Sequence, residues 1–251
     1  MKPLRPFFSY YGAKWRLARL YPRPAFDLLR EPFAGSACYA LHYPDRRVEL
    51  CDSDPIIAGL WSYLIAVKED EIRSIPSRID SVDDLAASWP QEVRWLVGFW
   101  LTRAGAMPNR TASAWRRELL TSPEYRRSFW GDWVKHLIAA QLRHIRHWRV
   151  VEGDYRQISD EPATWFVDPP YQGRPGSHYR HGSKKLDYAE LAAWCGSRQG
   201  QVIACEAQGA SWLPFEPLAV VKSNQKRYSR EAVWSNCALQ PRQLELATEA
   251  A

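Results

Sequence analysis

The feature that most constrains this chain is a recurring unit, a short apolar run that ends abruptly in small, acidic or proline-bearing residues. Phe26 to Phe33 reads FDLLREPF and stops at Ala34-Gly35-Ser36, after which Cys38 to His42 is compatible with a helix. Val48 to Cys51 ends in Asp52-Ser53-Asp54, and Pro55 then suits the first turn of a helix reading PIIAGLWSYLIAV. Trp148 to Val151 leads to Gly153-Asp154, Thr164 to Val167 leads to Asp168-Pro169-Pro170-Tyr171, and Gln201 to Cys205 leads to Glu206, with helical text from Tyr188 to Cys195. Strands alternating with helices predict an α/β sheet whose ligands sit beyond the carboxyl ends of its strands. Leu218 to Val221 and Ala232 to Ser235 lie too close together for a helix between them, which predicts an antiparallel closing hairpin.

The middle of the chain follows a different pattern. From about Glu69 to His147 the text is helical, rich in Arg and Trp, and without strand-like runs. This divides the chain into a sheet domain, residues 1–68 and 148–242, and an inserted helical lobe, residues 69–147. Between Arg94 and Arg149, eleven basic residues face three acidic ones, a net +8, whereas the whole chain carries +6. Positive charge is thus concentrated in and beside the insert, as a phosphate-contacting surface requires, although a solvated helical face has the same composition. Trp89, Trp95, Trp100, Trp115, Trp130 and Trp133 read as core of the lobe before stacking platforms. The tail from Gln243 onwards reads as frayed or as a loosely docked helix.

Other classes are excluded by what is missing. No run approaches the roughly eighteen apolar residues of a membrane helix, and MKPLRPFFSYYGAKW lacks the apolar core of a signal peptide, so a cytoplasmic protein without a membrane partner is expected. Cys38, Cys51, Cys195, Cys205 and Cys237 are never spaced as CxxC, which indicates neither a disulfide framework nor a zinc site. The overall charge favours an anionic partner, nucleic acid first.

Asp168-Pro169-Pro170-Tyr171 is the most informative tetrapeptide, because it directly follows an apolar strand. An adenine amino nitrogen is a poor nucleophile, its lone pair being delocalised into the ring. A carboxylate and a rigid backbone carbonyl that accept its N–H bonds favour the tetrahedral nitrogen that attacks, and stabilise the positive charge developing there. Asp168 and the Pro169 carbonyl suit these roles, with Pro169 and Pro170 stiffening the backbone. Tyr171 can stack on the base, which a duplex must first flip out.

With these residues in view, the chain resembles a DNA adenine-N6 methyltransferase of the Dam-like family. The resemblance implies an α/β fold, a Rossmann-like mixed sheet of the S-adenosylmethionine-dependent methyltransferase type with an inserted helical lobe. Its motifs run in the family's order over most of the sheet domain. Tyr10-Tyr11-Gly12-Ala13-Lys14 resembles the amino-terminal cofactor motif, and Glu31-Pro32-Phe33-Ala34-Gly35-Ser36 the loop under the methionine moiety. Asp52-Ser53-Asp54 is similar to the ribose-binding strand end, Gly153-Asp154-Tyr155 to the motif reading the cofactor's adenine, and Asp168-Pro169-Pro170-Tyr171 to the catalytic motif. Arg230 to Asn236 looks like the closing strand. Ala13 and Ala37 stand where the family usually has glycine, and the insert does not match the family's recognition segment residue by residue.

These matches give each residue an expected role. Lys14 pairs with the cofactor carboxylate or is a plain surface lysine. Glu31 is a candidate partner for the methionine amino group. Asp52 accepts from ribose hydroxyls, and Asp54 alternatively caps the next helix. Asp154 accepts from the cofactor's adenine, with Phe33 and Tyr155 against that ring or simply in the core. Arg110, Arg116 and Arg117 of the insert are expected on phosphates, as are Arg174, Arg180, Lys184 and Lys185 of the loop after Tyr171, with Tyr179 near a flipped base. That loop reads as a lid over DNA or as an ordinary surface loop. The resemblance thus implies S-adenosylmethionine as cofactor, no metal, and duplex DNA as partner, with the protein a monomer or weak dimer needing no obligate protein partner. Rival readings are the same chemistry on cytosine N4 or RNA adenine, and a catalytically silent DNA-binding protein. A nicotinamide oxidoreductase is disfavoured by the missing GxGxxG after the first strand.

Overall fold

The structure, a computed structural model, describes residues 2–102, 105–114, 116, 128–173, 176, 180, 182–222 and 228–237. The insert residues Trp115 and Arg117, the loop residues Arg174 and Tyr179, and the tail from Gln243 lie outside them.

Seven strands form one mixed sheet: β1 (Leu28–Glu31), β2 (Arg47–Asp52), β3 (Arg149–Glu152), β4 (Ala163–Val167), β5 (Gly200–Ala207), β6 (Glu216–Lys222) and β7 (Tyr228–Ser235). Their order is β3-β2-β1-β4-β5-β7-β6. The first five are parallel, and β7 runs antiparallel to both β5 and β6. The protein is therefore an α/β protein with a Rossmann-like sheet, and the expected closing hairpin is β6 and β7. Among the described residues no helix is long and apolar enough to cross a membrane.

The central parallel strands β1, β4 and β5 are buried on both faces, whereas β3 at the sheet edge is largely exposed. Leu29, Phe166, Ile203 and Cys205 enter one apolar cluster, while Leu28, Trp165, Val167, Val202 and Ala204 enter the other. This period of two is why the strands read as unbroken apolar runs.

Among the described residues the α-helices are α1 (Pro55–Ala66), α2 (Glu69–Ser74), α3 (Gln91–Leu101), α4 (Asp132–Gln141) and α5 (Tyr188–Ser197). Asp54 caps α1 by accepting from the Ile56 amide at 3.0 Å, with Pro55 in the first turn. The helix expected over Cys38 to His42 shrinks to a single 3-10 turn, Ala40–His42. The chain before it passes through left-handed backbone at both Gly35 (φ 45°) and Ala37 (φ 49°), which no α-helix accommodates.

Helices α2, α3 and α4 of the insert do not enclose a separate core. Phe8 lies 5.6 Å from Trp61 of α1 and 5.2 Å from Phe99 of α3, and the Trp100 indole donates to the Phe7 carbonyl at 2.9 Å. One apolar cluster runs from the sheet through α1 into the insert. Trp100 and Trp130 are buried in it and Trp89 packs against it, whereas Trp133 is exposed.

Candidate active site

The strand order reverses direction between β1 and β4, the crevice where open α/β sheets bind ligands. A cleft opens there, beyond the carboxyl ends of β1 to β4. All twelve residues expected to contact a cofactor line it: Tyr10, Tyr11, Lys14, Glu31, Pro32, Phe33, Gly35, Ser36, Asp52, Ser53, Asp154 and Tyr155. Asp168 and Pro170 line the same cleft.

The loop after β1 is built around Gly35. Its amide donates to Asp52 Oδ2 at 2.9 Å, and its carbonyl accepts from the Trp61 indole at 2.9 Å. A Cβ at this position would come within 3.2 Å of the Tyr10 ring, on backbone that L-residues rarely adopt. The main chain can thus approach a ligand closely. Asp52 Oδ1 accepts from the Asp54 amide at 2.9 Å, so the carboxylate ties the ends of β1 and β2 together. Burial lifts its pKa to about 6, against the opposing pull of the Asp54 and Gly35 amides. A carboxylate has about four acceptor sites, so two remain for incoming hydroxyls. Glu31 is almost wholly buried and accepts from the Ala40 amide at 2.6 Å, and desolvation pushes its pKa well above the ordinary carboxylate range.

At the end of β3, Asp154 caps a 3-10 turn by accepting from the Arg156 amide at 3.0 Å. Arg156 was not anticipated from the sequence. Its guanidinium lies 4.9 Å over the Tyr155 ring, 3.0 Å from Asp154 Oδ2, and bidentate on Glu190 at 2.6 and 2.7 Å. Phe33 lies 5.3 Å from Tyr155, so an aromatic wall with a cationic cap closes this end of the cleft.

At the end of β4 the catalytic candidate is already engaged. Lys14 Nζ stands 2.8 Å from Asp168 Oδ1 and 4.4 Å over the face of Tyr171. The Lys14 side chain is 8% exposed and that of Asp168 23%. Desolvation raises the Asp168 pKa, the Lys14 ammonium works against that rise, and Glu231 adds to it. Tyr171, expected as a stacking platform, is only 9% exposed, with its hydroxyl donating to Glu231 Oε2 at 2.6 Å. The structure therefore gives one face of its ring to Lys14 and leaves no open platform.

Two carboxylates without an assigned role hold the segment after Asp168. Glu231 on β7 grips the Tyr171 hydroxyl and accepts from Ser229 at 2.8 Å. Glu206 on β5, fully buried, accepts from the Gln172 amide at 3.1 Å and the Trp212 indole at 3.0 Å. The signal for both was present, since an acid within or at the end of an apolar strand must find donors once buried. Tyr188 completes the clamp by donating to the Pro170 carbonyl at 2.5 Å.

The basic residues are corrected more than the acidic ones. Arg116 is 2% exposed, with its guanidinium 2.8 Å from Asp80 and 6.0 Å over Phe129. It belongs to the interior of the insert and not to a phosphate-contacting face. Arg110 is exposed but paired with Asp83 at 2.7 Å. Arg180 and Lys185, expected on DNA, line the cleft, and Arg180 lies 3.6 Å from Asp54. Lys184 is exposed on the 3-10 turn Ser183–Lys185.

Fold and cleft together define an α/β protein with a cleft at the switch point of a Rossmann-like sheet. No protein-family model matches the chain, and no curated protein matches it.

Proposed function

We propose that this protein methylates the N6 amino group of adenine in duplex DNA, using S-adenosylmethionine and a flipped-out target base. The observation that carries this reading is convergence. Motifs spread in sequence from Tyr10 to Asp168 line one cleft at the switch point, in the arrangement that the resemblance implies. The sheet also departs from the dinucleotide-binding order 3-2-1-4-5-6 by inserting an antiparallel β7 between β5 and β6, which disfavours the nicotinamide alternative.

The residues present fit the cofactor. The Gly35 turn is a cradle that a Cβ would crowd, Asp52 has acceptor capacity for ribose hydroxyls, and Phe33 and Tyr155 form a wall for an adenine ring. Bound there, S-adenosylmethionine supplies a methyl group already activated on a sulfonium sulfur.

The remaining work is positioning and electrostatics. Asp168 accepts an N–H bond from the target amine and stabilises the positive charge that grows on its nitrogen. Burial strengthens that interaction by excluding water. Pro169 and Pro170, braced by Tyr188, keep the carbonyl beside it rigid. Glu206 and Glu231 fix the Tyr171 segment from behind.

The test is incubation of the purified protein with unmethylated genomic DNA and labelled S-adenosylmethionine, followed by digestion to nucleosides and mass identification. N6-methyladenine that vanishes in Asp168→Ala is the expected result. Methylated cytosine would move the reaction to that base, methylation of total RNA in a parallel incubation would move it to RNA, and no methylated base in either despite measured cofactor binding would overturn the enzymatic reading.

A further inference from the structure

The Lys14 ammonium occupies an unusual place. It is a nitrogen donor 2.8 Å from the Asp168 carboxylate and 4.4 Å from the centroid of the Tyr171 ring, on a side chain that is 8% exposed. Those two contacts are what a target base needs: a carboxylate to accept from its exocyclic amine, and an aromatic face beneath it. Lys14 and a target base therefore compete for one position. A flexible four-carbon stem ending in a compact charge is suited to such a role, since it can withdraw without disturbing the backbone that carries it.

We propose that Lys14 is an internal stand-in for the target amine, filling the donor position between Asp168 and Tyr171, so that a base enters only as Lys14 leaves. This deepens the methyltransferase reading and rests on it for the identity of the base. It also assigns Lys14 a different first partner from the cofactor carboxylate expected from the sequence. The carboxylate of Asp168 is kept paired between turnovers, which avoids leaving a desolvated charge alone in the cleft. The selection it imposes is chemical: an entering group must offer an N–H donor to Asp168 and a flat face to Tyr171 to replace both contacts at once. A ring carrying a carbonyl in place of the amine meets Asp168 with a second acceptor and cannot displace the lysine.

The experiment uses the full chain without DNA. Wild type, Lys14→Ala and the double variant Lys14→Ala/Asp168→Asn are titrated with ethylammonium chloride, against sodium chloride at equal ionic strength. They are also titrated with 9-ethyladenine while S-adenosylhomocysteine saturates the cofactor cleft. The readouts are calorimetric affinity and the ligand-induced shift in Tm.

Removing the stand-in is expected to tighten 9-ethyladenine binding by about tenfold in Lys14→Ala over wild type. Ethylammonium is expected to compete with that binding, and both effects are expected to disappear in the double variant. Unchanged or weaker 9-ethyladenine binding in Lys14→Ala, or binding that ethylammonium does not compete with, would overturn the proposal and leave an ordinary structural ion pair. If Lys14→Ala does not fold, Lys14→Met carries the 9-ethyladenine arm, because it keeps the stem and removes only the charge. Failure of S-adenosylhomocysteine to bind, with ethylammonium still binding Lys14→Ala, would count against the methyltransferase reading; the 9-ethyladenine titration is then run without it and judged by the same competition.

Discussion

The acids at the rim of the sheet and the bases of the helical insert are both concentrations of charge, and the fold treats them in opposite ways. At the rim, Asp52, Asp154 and Asp168 take backbone amides or one cation each, and all three line an open cleft. In the insert, Lys135 is buried with its ammonium on the Arg73 and Ile75 carbonyls at 3.1 and 2.7 Å. Arg94 donates to the Val82 and Ala86 carbonyls, Arg146 to those of Ile65 and Val67, and Arg116 to Asp80. Among the described residues, then, much of the insert's positive charge holds the insert together and onto the sheet domain. Net charge counts residues without distinguishing a charge facing a ligand from one that satisfies the protein's own carbonyls, and only the second kind is lost to recognition.

This contrast can be broken at several points. The largest effect is expected at the rim: Asp168→Ala should lower methyl transfer by about 10³ while calorimetric binding of S-adenosylhomocysteine stays within a few-fold of wild type. A collapsed melting curve for this variant would instead make the carboxylate structural.

In the insert the expected readout is stability. Lys135→Ala and Arg116→Ala should each cost about 3 kcal/mol in denaturant unfolding, because each empties the space of a long buried side chain and Lys135→Ala also takes the donor from the Arg73 and Ile75 carbonyls. Arg116→Ala should leave the salt dependence of DNA binding unchanged, and a slope reduced by about one would restore Arg116 to the phosphate-contacting set.

A smaller effect separates the two regions by pH. Because burial lifts Asp52 to about 6, the folded protein holds a proton there that the unfolded chain releases near 4. The stability this proton contributes is complete below about 4 and is lost as the pH rises through about 6. Melting curves from pH 4 to 8 should show that decline in wild type and a shallower one in Asp52→Asn, where the raised Glu31, Asp168 and Glu206 carboxyls still contribute; parallel curves would count against it.

The smallest expected effects concern the β1 loop. Gly35→Ala should destabilise by about 1–2 kcal/mol, since it forces a side chain into left-handed backbone and against Tyr10. Ala37→Gly should stay within about 1 kcal/mol of wild type: relief of φ 49° offsets the added freedom of the unfolded chain and a lost buried methyl. Chemical denaturation checks both.

Much of the frame was legible in the residues because its causes are local. The apolar runs marked all seven strands to within a few residues, most plainly β4 and β5, since a strand buried on both faces has no polar alternation to blur it. Asp54-Pro55 announced the start of α1 through a cap and a proline that need nothing beyond the next turn. The cleft was legible for a related reason: residues just after parallel strands are brought to one edge of the sheet by topology, so Glu31, Asp52, Asp154 and Asp168 had to meet. The stretch from Cys38 to His42 was misleading because its apolar composition suits a helix, while Gly35 and Ala37 turn the chain first.

What the sequence by itself determined about this protein is therefore the order of strands and helices and the set of residues at the rim, because periodicity, capping and strand-end position act over a few neighbours. The tertiary structure decided which charges pair. Lys14 reaches Asp168, Glu231 reaches Tyr171 across 60 positions, and Arg116 turns inward to Asp80, none of which leaves a trace in local pattern. A buried charge takes whichever counter-group the fold carries within about 3 Å, and that choice exists only once distant segments have packed.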